Sequence, residues 1–385
     1  MRRVLAIVVV VALAGVGAFV LLRSGEAGET LTAPVERHLS RHDLAAARAE
    51  RESIRGRLDA GWNDYLDGVF LLMDGKYGEA ATVLARAREA HPSSWKITVT
   101  AASAAANSGR FKEASAMIES YVAAHPDDER GLVVSAEYLL DGRDGGPRAA
   151  EALARLDRVA APQMRVAPAG DPTAVLDATL HRLRAQALIE LGRHVEAIHE
   201  ARAATTGAPN DAESWFVLGQ ATRLAVPPQG EESLDAYGRA LTLMPQSRRY
   251  GEQFVMATLK LVVPGTEAHR FARALGAVEM MLRASPDDPA LLILKARILA
   301  RDQKTLDAAN DLYADLQKRP LPKPQRLEVL RNRGVLVYDF KVGGQPGAYL
   351  KDSYELLRQY VDEGGVIDAE LAKPWAELQR YAEKR

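Results

Sequence analysis

Seven prolines recur along the chain, at Pro92, Pro126, Pro162, Pro209, Pro245, Pro286 and Pro320, spaced by 34, 36, 47, 36, 41 and 34 residues. A period of that length marks a repeated supersecondary unit that buries its apolar face on its neighbours. Proline lacks an N–H and its ring collides with the carbonyl one helical turn back, so each one stops a helix. Other residue types keep the same time. Gly75-Lys76-Tyr77-Gly78-Glu79-Ala80 leads to Leu84, Ala87 and Pro92. Thirty-four residues later Gly109-Arg110-Phe111-Lys112-Glu113-Ala114 leads to Ile118 and Pro126. Gly75 and Gly109 end one helix without a Cβ clash. Tyr77 and Phe111 fill the gap between paired helices, and Ala80 and Ala114 let them approach.

Later units keep the pattern with departures. Ala185, Leu188, Gly192, His194, Ala197, Ala201, Ala204 and Pro209 form one, with His194 in the aromatic place. Trp215-Phe216-Val217-Leu218-Gly219 opens the next, which continues through Tyr237 and Ala240 to Pro245. Ala274, Val278 and Pro286, then Ala296, Leu299, Ala308, Leu312 and Pro320, mark two more. This series resembles the tetratricopeptide repeat family from about Asp43 to Pro320. The resemblance implies an all-α fold, a right-handed superhelical solenoid of stacked antiparallel helix pairs. Repeats are expected over 37–320, with Asp43–Ala47 in the second half of an unpaired leading repeat. Residues 321–385 read as a degenerate repeat and capping helices, with a loop at Gly343–Gly347 and a polar cap at Trp375–Arg385. Asp141–Pro147 and Ala160–Thr173 read as surface insertions.

Val4 to Leu22 is a run of 19 uncharged, mostly apolar residues. At 1.5 Å per residue it spans a bilayer core of about 30 Å. The reading is a transmembrane signal anchor over 4–22, with residues 1–3 cytoplasmic. Arg2 and Arg3 precede the run and Arg23 alone follows it closely, which puts the repeats outside, facing the periplasm from the inner membrane. Residues 23–36 are expected to be a flexible tether. A cleaved signal peptide is the rival reading. The chain holds no Cys, so a lipid-acylated cysteine is excluded. A formal net charge of −1 gives no electrostatic case for nucleic acid. The expected partners are envelope proteins or peptides, with the bilayer contacted through the N-terminal helix.

No catalytic, cofactor or metal constellation stands out. His199-Glu200 begins like a zinc-peptidase helix, but the second His is missing. His38 and His42 lie one helical turn apart and make too small a ligand set for zinc. No phosphate loop or nucleophile elbow is present. The family resemblance implies that the first helix of each pair lines a concave groove. Carried over by position, repeat one offers Trp62, Tyr65, Val69, Leu72 and Met73, and repeat two offers Lys96, Val99, Ser103 and Asn107. Later units offer Arg182 and Gln186, then Phe216, Gln220 and Arg223, then Arg297 and Arg301. The expectation is an apolar mouth, then a polar channel whose arginines engage carboxylates. The alternative for Trp62 and Tyr65 is packing against the leading half-repeat. The function expected is a non-enzymatic membrane-anchored scaffold. A cleaved periplasmic adaptor for polysaccharide export or outer-membrane assembly is the alternative, and an enzyme with an unrecognised site is the third reading.

Overall fold

The computed structural model describes residues 27–143, 145–159, 172–262, 268–342 and 348–383. Among the described residues all regular structure is helical. The chain divides into two compact units, residues 1–229 and 230–385. Unit 1 contains α1 (Ala27–Ser40), α2 (Leu44–Ile54), α3 (Ala60–Met73), α4 (Tyr77–Ala90), α5 (Trp95–Asn107), α6 (Phe111–Ala124), α7 (Glu129–Asp141), α8 (Ala149–Leu156), α9 (Pro172–Glu190), α10 (His194–Gly207) and α11 (Ala212–Leu224). Unit 2 contains α12 (Gly230–Leu243), α13 (Arg248–Leu261), α14 (Ala268–Ala284), α15 (Pro289–Leu299), α16 (Leu306–Gln317), α17 (Lys323–Phe340), α18 (Tyr349–Asp362) and α19 (Ala369–Glu383).

Five of the periodic prolines occupy one place in one kind of turn. The N–H two residues after each proline donates to the carbonyl of the residue before it. The pairs are Ser94 to His91 (3.1 Å), Asp128 to His125 (3.1 Å), Asp211 to Ala208 (3.0 Å), Ser247 to Met244 (3.0 Å) and Asp288 to Ser285 (3.2 Å). Proline thus holds the second position of a β-turn, where its fixed φ is already correct. The fourth turn residue is the N-cap of the next helix. Asp211 accepts from the N–H groups of Glu213 and Ser214, and Asp288 from those of Ala290 (2.9 Å) and Leu291 (3.4 Å). A single four-residue segment therefore closes one helix pair and starts another. Pro162 lies outside the described residues, and Pro320 sits in a different, irregular connection.

Within the pairs a second turn recurs. Gly75, Gly109 and Gly192 have φ of +73°, +88° and +73°. The N–H of the next residue reaches back five places, Lys76 to Leu71 (2.9 Å), Arg110 to Ala105 (2.9 Å) and Arg193 to Leu188 (2.8 Å). This is the Schellman termination that left-handed glycine permits. The leading hairpin closes in the same way with His42 in the glycine place, at φ +59°, and Asp43 bonded to His38 at 3.0 Å.

Burial follows the small-residue pattern. Ala80, Ala87, Ala114, Ala197, Ala201 and Ala204 are wholly buried, as are Leu84 and Ile118. In unit 1, first helices touch first helices of the next pair, α1 with α3, α3 with α5, α7 with α9 and α9 with α11. In unit 2 the same holds for α13 with α15 and α15 with α17. No second helix packs to that extent on the second helix of the next pair among the described residues. Within each unit the first helices therefore line the inner face. In unit 2, α19 closes the array, burying Leu371 and Leu378 and stacking Trp375 on Tyr354 at 5.8 Å, with its charged residues outward. A capping helix is expected near Trp375–Arg385, and α19 supplies a helix over Ala369–Glu383.

Two sequence expectations change. Residues 27–36, assigned to a flexible tether, are helical and form most of α1. The leading half-repeat is not unpaired, because α1 packs against α2. The run 4–22 and the remainder of the tether lie outside the described residues, as do most of the 160–173 insertion and the 343–347 loop. Among the described residues no helix is long and apolar enough to cross a membrane.

Candidate partner-binding groove

Helix α5 shows how the inner face is built. Most of it is buried, and Val99, Ser103, Ala106 and Asn107 form its half-exposed strip. These recur at helical spacing on the side away from the second helices. On α3 the outcome differs. Trp62 and Tyr65 are each 2% exposed, and Val69 and Leu72 are also buried, while Met73 is half-buried. Phe216 on α11 is likewise core. The apolar mouth expected from Trp62, Tyr65 and Val69 is thus filled, and the packing alternative holds for Trp62 and Tyr65.

The filling element is α1. Its Gly28 lies so close to the Trp62 indole that a Cβ there would fall 2.1 Å from Nε1. Trp62 meets Tyr65 edge-on at 5.4 Å and His91 at 5.4 Å. The Tyr65 hydroxyl donates to Glu36 Oε1 at 2.9 Å, and Lys96 Nζ on α5 approaches the same oxygen at 2.8 Å. Burial, and then the Glu36 carboxylate, push the Tyr65 hydroxyl well above its ordinary pKa. Lys96 is buried, so its ammonium depends on Glu36 for compensation. Arg130 on α7 forms a fork on Asp128, at 3.0 Å and 2.7 Å, and stands over the Trp95 ring.

The polar channel is present but internally matched. Arg182 on α9 lies 3.8 Å from Glu137 on α7 and 3.9 Å from Asp211 at the start of α11. Gln186 donates to Glu213 at 3.4 Å. Gln220 and Arg223 are half-buried on α11. Fourteen of the sixteen expected groove residues belong to unit 1, and Arg297 and Arg301 belong to unit 2. There Arg297 pairs with Glu328 on α17 at 3.2 Å, and Arg301 is exposed, donating weakly to the Leu259 carbonyl at 3.4 Å. Arg297, Glu328, Arg331, Asn332 and Tyr360 line an open cleft of about 470 Å³. A partner carboxylate at Arg182 or Arg297 competes with one already in place. No group of three or more His, Asp or Glu is placed to hold a metal ion among the described residues.

Sequence reading missed Gly28, Glu29 and Glu36. A signal existed, since Gly28, Thr32, Val35 and Leu39 follow helical spacing and all are buried. Pro34 masked it.

A family model described as tetratricopeptide repeat matches residues 71–132. No curated protein matches the chain. Among solved structures, a monomeric mutant of IFIT1 with Gppp-AAAA is 14% identical, with a TM-score of 0.51, over 94% of this chain and 82% of that one. TTC0263, a thermophilic TPR protein of Thermus thermophilus, is 22% identical with a TM-score of 0.40, over 52% of this chain and 100% of that one. YrrB, described as a TPR protein with an unusual peptide-binding site, is 17% identical with a TM-score of 0.39, over 54% and 93%. At these identities the IFIT1 likeness concerns the fold alone.

Proposed function

We propose that this chain, a tetratricopeptide-repeat protein, is a non-enzymatic scaffold that holds other proteins against the inner faces of its first helices, and that residues 4–22 anchor it in the inner membrane with the repeats in the periplasm. The observation that carries the binding reading is the strip on α5. Val99, Ser103, Ala106 and Asn107 stay half-exposed on a helix that is otherwise buried. Such side chains are fixed by the packed backbone, so a partner meets them at low ordering cost. The anchor reading rests on the length and charge flanks of 4–22. Leu22 and the start of α1 at Ala27 are few residues apart, so an anchored chain carries unit 1 close to the bilayer surface.

The test is affinity capture of the full-length protein from gently solubilised envelopes, beside a Val99→Glu, Asn107→Ala variant with native circular dichroism. A protein held by the native chain and lost by the variant supports the inner-face reading. A protein held equally by both places binding elsewhere. For the anchor, the full-length chain resists carbonate extraction, and a C-terminal alkaline phosphatase fusion is active. A stable but inactive fusion overturns the orientation.

A further inference from the structure

The leading hairpin is docked unlike any other pair in unit 1. Each later second helix packs along the next first helix, α4 on α5, α6 on α7, α8 on α9 and α10 on α11. Helix α2 makes no comparable packing on α3. Polar contacts also tie the two. Arg51 pairs with Asp67, and the Asn63 amide donates to the carbonyls of Arg55 (3.2 Å) and Leu58 (3.1 Å) across the short turn that joins the two helices. The hairpin is held instead by α1, which reaches beyond its neighbour. Glu36 of α1 ion-pairs with Lys96 of α5 at 2.8 Å and accepts from the Tyr65 hydroxyl of α3 at 2.9 Å. Glu29 and Glu36 are seven residues apart, two helical turns, and so share one side of α1. Gly28, Thr32, Val35 and Leu39 bury the adjoining side. Pro34, inside α1, removes one backbone hydrogen bond and weakens the helix on its own.

A weak helix whose carboxylate is held by a buried cation and a hydroxyl of the inner face is what a bound acidic peptide looks like. We propose that α1 is a displaceable, built-in occupant of the unit 1 groove, and that the surface beneath it, Trp62, Tyr65 and Lys96, accepts an acidic helical segment of a partner protein in its place. This rests on the reading of the inner face as the binding surface. The matching segment carries a small residue against the Trp62 indole and an acid eight residues on. Charge complementarity selects the acid, because the buried Lys96 already holds a Glu36 oxygen at 2.8 Å. Close approach at Gly28 selects the small residue.

The probe is a fluorescein-labelled peptide of residues 27–43, added to the full-length chain in detergent and read by anisotropy. Amide hydrogen exchange of residues 27–40 and of α3–α7 is followed in parallel. The Gly28→Leu chain drives a side chain into the indole, and Glu36→Lys repels Lys96, so two independent changes release α1. Either variant binds the peptide at least tenfold more tightly than the native chain, with faster exchange in α1 and native exchange in α3–α7. Adding Lys96→Glu to Gly28→Leu abolishes that gain. A scrambled peptide does not bind. The proposal is overturned if α1 is released yet peptide affinity does not rise, or if the scrambled peptide binds equally. It is also overturned if α1 keeps its protection in both variants, or if protection is lost throughout α3–α7, which makes α1 an integral repeat. None of these outcomes bears on capture through Val99 and Asn107, so a failure here is separable from failure of the scaffold reading.

Discussion

One chemical change, Gly to Ala, should act with opposite signs at two glycines three residues apart. Gly75 has φ of +73° and a Cβ built there meets nothing within 4 Å. The cost of Gly75→Ala is therefore purely conformational, about 1–2 kcal/mol for an L residue held in the left-handed region. The stiffer unfolded chain returns about 0.4–1 kcal/mol. The net loss is about 1 kcal/mol, and Val, being β-branched, loses more. Gly78 lies in the first turn of α4, exposed, with no positive φ and open space around its Cβ. Gly78→Ala should gain about 0.5–1 kcal/mol, because glycine in a helix sacrifices more backbone freedom than alanine. Global melting is a poor readout, since repeat arrays open piecemeal. Native-state hydrogen exchange over the α3–α4 turn reads local opening directly. The Lys76 N–H, bonded to the Leu71 carbonyl at 2.9 Å, is the reporter. A loss of about 1 kcal/mol lowers its protection about fivefold. Gly78→Ala leaves that protection equal or raises it. If both changes move protection the same way, or Gly75→Ala is neutral, the turn is not set by the left-handed glycine and the reasoning fails.

Asp211→Ala removes the acceptor for two N-terminal N–H groups of α11 and should cost about 0.5–2 kcal/mol, read as faster exchange at Glu213 and Ser214. Burial pushes the Asp128 carboxyl up, but the Arg130 guanidinium and the Tyr121 hydroxyl hold it below the ordinary value of 3.8. A depressed carboxylate stabilises the fold above its unfolded pKa, and that contribution disappears as pH falls through the folded value. Stability at the α6–α7 junction should therefore hold above about pH 4 and fall below it, and Asp128→Asn should flatten that decline in exchange measured from about pH 6 to about pH 3. Leu84→Ala empties a wholly buried site between α3 and α4 and should cost about 2–5 kcal/mol, read as faster native-state exchange in α3 and α4; a cost below about 1 kcal/mol means that the helices collapse onto the gap.

Backbone constraints were legible in the sequence because they are local. Proline at a turn's second position, Ser or Asp at its fourth, and glycine in the left-handed place each act through a few covalently linked atoms. The same residues therefore mark the same geometry in repeat after repeat. His42 shows the limit of reading by letter, since it takes the glycine conformation without being glycine. What could not be read was which surface covers which. Family position assigned Trp62 and Tyr65 to the inner face, but whether that face is open depends on α1, whose Glu36 lies 29 residues before Tyr65 in a stretch read as tether. Arg182 poses the same difficulty. Its residue type promised a cation for a partner's carboxylate, and its neighbours at 137 and 211 are close only once α7, α9 and α11 have stacked. Inner-face charge in a repeat array is therefore a property of the stack. Lys96 and Arg182 are both cations on first helices, yet one is buried under a carboxylate from two pairs away and the other is shared between two carboxylates at longer range. A ligand that brings its own acids meets a more easily displaced competitor at Arg182, because interactions near 4 Å return little when broken, whereas at Lys96 it must replace the carboxylate that makes the buried ammonium tolerable.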